Sequence, residues 1–326
     1  MPLESISSDG TDVAIPPPVS RSVMILLATY QGARFLGEQI RSLYDQSVPD
    51  ISIFASDDGS TDQTLEVLQE AQTNWDKGEF HIRSGPGVGY RSNFRSIALR
   101  CDLNSDYYAF CDQDDIWDAD KLERALRWSA KFDPEIPQVY SSRTRWIDES
   151  GKFLRISHAF GREPSFANAL VQTIAGGNTM VMNQAAMKLF RKTAESVGPV
   201  SHDGWLYLIV TGAGGIFHFS DEASVSYRQH NASVSGVPTP LTSWMWRLSE
   251  RQRAGMRQAI DKKITALESC IDHLTPEARL VLKEYKASRN GASVFKRIRA
   301  LKKSGVYART FRSNVAMHVD CLFRVT

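Results

Sequence analysis

VMILLATYQGARFLGEQIRSLYDQSVPDISIFASDDGS, residues 23–60, holds two short apolar runs, Val23 to Ala28 and Ile51 to Ala55, with a segment of different period between them. In that segment Leu36, Ile40 and Leu43 recur at four- and three-residue steps, the spacing of an amphipathic helix. Strands that are apolar throughout, joined by a helix, describe a parallel pair covered on both faces. Polar residues close each strand: Thr29 and Tyr30 after the first, Asp57-Asp58-Gly59-Ser60 after the second. Ligands of open parallel sheets bind where such strand ends converge.

The pattern continues outward. Further apolar runs at Phe80 to Ile82 and Tyr107 to Phe110 leave room for a helix before each. Leu65, Leu68 and Ala71 share a face, and Ser60 with Gln63 reads as a capping box opening the second helix. The expectation is an α/β fold, a mainly parallel twisted sheet flanked by helices in the Rossmann-like, nucleotide-binding manner. Residues 1–20 are polar, end in Pro16-Pro17-Pro18 and read as a flexible leader, so the main domain is expected over 21–240. Within it a turn is expected at Asp148 to Gly151, a loop at Gly176-Gly177 and a helix over Trp205 to Val210. From 241 to 326 Met256, Ile260, Ile264, Leu267, Ile271 and Leu274 keep helical spacing and predict a C-terminal helical extension.

With 326 residues and 42% hydrophobic content, the chain can bury a full core. Its formal net charge of +2 hides an asymmetry: 18 Lys and Arg against 7 Asp and Glu from Leu241 onward, 21 against 30 before it. The four cysteines show no metal or disulfide spacing, and no apolar run approaches a membrane span. A cytoplasmic protein is expected, with the basic extension resting peripherally on the anionic inner face of the membrane or packing on the acidic body. No nucleic-acid recognition motif, GxxxxGK[ST] loop, GxGxxG turn or GxSxG elbow is present.

Four clusters carry candidate chemistry. Thr29, Tyr30 and Asp58 lie where a nucleoside would bind, although Asp57 and Asp58 read equally as turn residues. In Cys111-Asp112-Gln113-Asp114-Asp115-Ile116-Trp117, three carboxylates within four residues sit between apolar flanks. Unless the segment is a solvated acidic turn, such crowding is relieved by a hard divalent cation shared with phosphates, Asp112 and Asp114 forming the D-x-D pair. Asp203, in His202-Asp203-Gly204-Trp205, is placed to act as a base toward an alcohol, or to cap a helix. Tyr227-Arg228-Gln229-His230-Asn231 offers Arg228 to phosphate and His230 to phosphate or metal.

Taken in order, these motifs resemble those of the family 2 inverting glycosyltransferases of GT-A fold, over roughly Val23 to Ser235. Ala28-Thr29-Tyr30-Gln31-Gly32, Asp57-Asp58-Gly59-Ser60-Thr61-Asp62 and Asp112-Gln113-Asp114-Asp115 match three motifs of that family. CDQDDIW, HDGW and YRQHN are similar to a bacterial rhamnosyltransferase-like subgroup acting in surface-polysaccharide assembly. The resemblance implies a nucleotide-sugar donor, dTDP- or UDP-linked, a glycan or lipid-linked acceptor, and Mg2+ or Mn2+. It puts Thr29, Tyr30 and Asp58 on the nucleoside, Asp112 and Asp114 on ribose, diphosphate and metal, and Asp203 in the role of base. Arg91 and Asn93 would lie near the donor, and Gly177, Asn178 and Thr179 near the donor sugar and acceptor, with Trp205 and Arg228 lining the same region. Many relatives carry Glu-Asp where this chain has His202-Asp203, which implies a different setting for the base. Two other readings compete: a sugar nucleotidyltransferase, and a non-catalytic nucleotide-sugar-binding subunit of a membrane-surface assembly.

Overall fold

The computed structural model describes residues 21–195, 200–229 and 250–323. The expected leader, the boundary at 240, and His230 lie outside the described residues. The opening stretch folds as read: β1 (Val23–Thr29), α1 (Ala33–Tyr44) and β2 (Ile51–Asp57), followed by α2 (Thr64–Asn74), β3 (Phe80–Ser84), α3 (Tyr90–Arg100) and β4 (Tyr107–Cys111). These four strands are parallel in the order β3-β2-β1-β4. Every residue of β1 is buried. Met24, Leu26 and Ala28 enter one hydrophobic cluster and Val23, Ile25 and Leu27 the other, which is the two-residue period of a strand covered on both sides.

Beyond Cys111 the sheet becomes mixed. The chain continues through β5 (Ile116–Trp117), α4 (Lys121–Ser129), β6 (Gln138–Ile147), β7 (Phe153–Ile156), α5 (Phe166–Ala169), β8 (Val181–Asn183), α6 (Gln184–Ala194), α7 (His202–Gly212) and β9 (Ile216–Arg228). Strand β8 runs antiparallel between β4 and β6, so only the N-terminal half of the sheet is purely parallel. Strands β6 and β7 form a hairpin through the expected turn, where the Gly151 N–H donates to the Asp148 carbonyl at 3.0 Å. Such a hairpin needs only a short link, whereas a parallel pair needs a crossover.

Two local expectations change. Helix α2 begins at Thr64, and Ser60 does not cap it. Instead the Ser60 hydroxyl donates to Asp57 Oδ1 at 2.6 Å, because the turn leaving β2 claims it first. Leu65 consequently faces outward at 37% exposure, while Thr64 and Leu68 are buried.

The extension comprises α8 (Glu250–Ser269), α9 (Pro276–Asn290), α10 (Val294–Ser304) and α11 (Phe311–Phe323). Leu267, Leu274, Leu282, Tyr285 and Leu301 belong to the same cluster as Leu26 of β1 and Leu206 of α7. Each such side chain contributes about 1.5–3 kcal/mol on burial, so these helices close the sheet's core.

Candidate active site

The strand ends are organised by their own aspartates. Asp57 accepts from Thr29 Oγ1 at 2.9 Å and from the Ser60 N–H at 2.8 Å, holding β1 to the turn. That turn passes through Gly59 at φ 92, a left-handed conformation natural to glycine. The Asp58 carboxylate accepts the N–H groups of Gly87 and Gly89, each at 2.7 Å, drawing the β3–α3 loop across the end of β2. Tyr30 stands beside this pair at 56% exposure. Thr29, Tyr30 and Asp58 therefore share one edge. Asn93 lies buried beneath it, exchanging bonds with Ser56: its Nδ2 donates to the carbonyl at 2.9 Å and its Oδ1 accepts from the hydroxyl at 2.6 Å. Arg91 is exposed, with Nε donating to Tyr90 at 3.0 Å.

The acidic loop leaves β4 beside that edge, and Gln113 ties the two together. Its Nε2 donates to the Tyr30 carbonyl at 2.9 Å, and its Oε1 accepts the Tyr30 N–H at 2.8 Å. A Cβ on Gly32 would lie 2.2 Å from that Oε1, so glycine leaves the space Gln113 needs. Asp112 and Asp114 are half-buried. Asp115 is fully buried and serves as an anchor: one oxygen accepts from Asn178 Nδ2, the other from the Arg228 N–H at 3.4 Å.

Arg228 does not extend toward a phosphate. Its Nε donates to the Asp114 carbonyl at 3.1 Å, its Nη1 to the Glu149 carbonyl at 3.0 Å, and its Nη2 pairs with Glu38. The guanidinium also lies over the Phe35 ring, 4.6 Å from its centroid, so this side chain, 2% exposed, braces the acidic loop from behind. Trp205 is likewise a packing residue, 2% exposed and donating from Nε1 to Thr193 Oγ1 at 3.0 Å.

The third carboxylate arrives on the first turn of α7. Asp203 is half-buried, with Oδ1 accepting the Gly204 N–H at 2.7 Å. Part of Asp112 reaches the surface, yet burial of its carboxyl, then the charges of Asp114 and Asp203, push its pKa up to about 7. The two neighbouring carboxylates thus add to the cost of ionising Asp112. His202, just before Asp203, is stacked on Phe94 at 4.1 Å and edge-on to Phe110 at 4.6 Å. Among the described residues neither ring nitrogen has a hydrogen-bond partner, and burial pulls its pKa down to about 4, so the imidazole is neutral. The loop at Gly177 is built around it: a Cβ there would fall 2.1 Å from His202 Nε2. Asn178 and Thr179 are buried, Thr179 Oγ1 donating to the Gly176 carbonyl at 2.8 Å.

Residues unmarked in the sequence reading complete the site. Gln113, Glu38 and Phe35 position the acidic loop, as described. Lys121 is fully buried with its ammonium 3.4 Å from the Trp117 ring centroid, and burial draws its pKa down to about 7 against the pull of Cys111 and Asp115. Lys263, on α8, is half-buried within electrostatic reach of Asp203; burial lowers its pKa, and Asp203 opposes the shift. The Gln between the aspartates was the one sequence signal for this group.

A divalent cation fits the donor set. Asp112 and Asp114 supply hard oxygens whose mutual repulsion a cation would relieve. Among the described residues no three His, Cys, Asp or Glu side chains form a ready-made cage, as suits an ion that takes its remaining ligands from phosphates and water.

A family model described as glycosyl transferase family 2 matches residues 24–196. The dTDP-rhamnosyl transferase RfbG of Shigella flexneri is 28% identical over 253 residues, covering 74% of this chain and 84% of that protein. Escherichia coli chondroitin synthase is 27% identical over 195 residues, 55% of this chain but 27% of the synthase. Among solved structures, Staphylococcus aureus TarS 1–349 in complex with UDP-GlcNAc aligns over 91% of this chain and 92% of its own, at 16% identity and a TM-score of 0.48.

Proposed function

The chain belongs to glycosyltransferase family 2, and we propose that it moves a sugar, rhamnose from a dTDP-linked donor, onto a hydroxyl of a glycan or lipid-linked acceptor in surface-polysaccharide synthesis. The observation that carries this reading is the meeting of Asp112, Asp114 and Asp203 beside the nucleoside edge of Thr29, Tyr30 and Asp58. The printed name of the Shigella relative supports the donor. A lipid-linked acceptor would bring a cytoplasmic enzyme to the membrane's anionic inner face.

The transfer is a single displacement with inversion. Asp203 takes the proton of the acceptor hydroxyl as its oxygen attacks the anomeric carbon, and the bond to the nucleoside diphosphate breaks on the opposite side. Neutral His202 leaves the base without an imidazolium beside it on the same turn. Asp114, with Asp112, would hold Mg2+ or Mn2+, which supplies charge neutralisation for the departing diphosphate. Gln113 and Arg228 hold those carboxylates in register with the nucleoside edge.

The test is a panel of nucleotide sugars, dTDP-rhamnose and UDP-sugars among them, measured for thermal stabilisation with and without divalent metal on the wild type and Asp114→Ala. Metal-dependent stabilisation by dTDP-rhamnose, lost in the variant, is expected. No stabilisation by any nucleotide under any metal would sink the donor-site assignment.

A further inference from the structure

We propose that the outward face of α10 and α11 is a docking surface for an anionic lipid bilayer. Docking would serve the lipid-linked acceptor proposed above, and rests on that reading only for its purpose, since vesicle binding needs neither donor nor turnover.

Helix α10 is firmly placed. The Ser293 hydroxyl caps it by accepting the Lys296 N–H at 3.3 Å, and Gly305 ends it at φ 62. Arg297, Ala300, Leu301 and Ser304 face inward. The opposite face carries Phe295, Ile298, Arg299 and Lys302 at helical spacing, and with Lys303 these line an open groove of about 480 Å³. Phe295 is 87% exposed, which a water-facing helix gains nothing from. Helix α11, packed against α10, repeats the arrangement: Phe311 is 83% exposed, with Val315 and Val319 one and two turns on also outward.

The charge around these apolar residues selects the partner. From Gly291 to Val319 the chain has seven Lys and Arg and no Asp or Glu. Arg297 is buried, donating to the Cys321 carbonyl at 2.8 Å, while the other six are exposed. Aromatic and aliphatic side chains ringed by cations suit the boundary between acyl chains and anionic headgroups. Among the described residues no helix is long and apolar enough to cross a membrane, so contact would be superficial and sensitive to salt.

The full chain is sedimented with neutral phosphatidylcholine vesicles and with vesicles containing phosphatidylglycerol. Binding is expected only to the latter, weakening as salt is added. Arg299→Ala with Lys302→Ala should lower the partition coefficient roughly thirtyfold, and Phe295→Ser with Phe311→Ser about tenfold or more. All four side chains point outward, so circular dichroism and nucleotide-induced stabilisation should match the wild type, which separates lost docking from lost folding. Equal binding to neutral vesicles, or variants that sediment like the wild type, would overturn the docking surface and leave the transferase reading standing. So would a lipid-free dimer abolished by the Phe variants in a protein that binds no vesicles.

Discussion

Asp203 keeps one carboxylate oxygen on the Gly204 N–H and turns its charge toward Asp112 and Lys263. Asp203→Asn preserves size and that hydrogen bond but removes the proton acceptor. Turnover should fall about 100- to 10,000-fold with donor affinity little changed, checked by steady-state kinetics beside nucleotide titration. His202 predicts a pH effect. Its folded pKa of about 4 lies below the ordinary 6.5, so its contribution to stability is full above 6.5 and is lost as pH falls from there toward 4. In urea unfolding, the stability of the wild type relative to His202→Leu should drop by up to about 1.4 kcal/mol per pH unit across that window, the comparison cancelling the opposite contribution of Asp112, whose pKa is raised. The pair His202-Asp203 was visible in the sequence as polar residues before an apolar run. The neutral burial of the imidazole was not, because Phe94, Phe110 and Gly177 reach it from three separate parts of the chain.

The acidic loop acts as a unit because its members share a charge problem. With Asp112 at about 7, a proton competes with any cation below that pH. Apparent Mn2+ affinity should therefore weaken about tenfold per pH unit of acidification and level off above pH 7, and Asp112→Asn should flatten the profile in isothermal titration. Strands and helices whose apolar period was unbroken, β1, α1, β2 and β4, could be read directly from the residues. Strand β8 could not, since three residues carry no period, and it is the strand that turns the parallel sheet into a mixed one. Arg228 misled for a related reason: in sequence it has no partner, and Glu38, which holds it, lies on the first helix.

Across the whole molecule, the composition shift near residue 241 marked a basic extension but not its place in the core. Leu267, Leu274, Leu282 and Leu301 are packed with residues of β1 and α7, a relation set by tertiary packing and invisible to local spacing. Ending the chain before Glu250 should therefore uncover a broad apolar surface. The expected result is loss of the cooperative thermal transition together with aggregation, followed by calorimetry and light scattering; an unchanged transition would show the sheet to be self-sufficient. The tie between Gln113 and Tyr30 has a different consequence. One side-chain amide satisfies both the N–H and the carbonyl of a residue on another strand end, as a neighbouring strand would, so the edge proposed for the nucleoside and the loop proposed for the cation share their freedom to move. Linkage would make such sharing reciprocal: the factor by which an ion there tightened the nucleotide would be the factor by which the nucleotide tightened the ion. Gln113→Ala should shrink both factors equally, leaving two guests that arrive with less notice of each other.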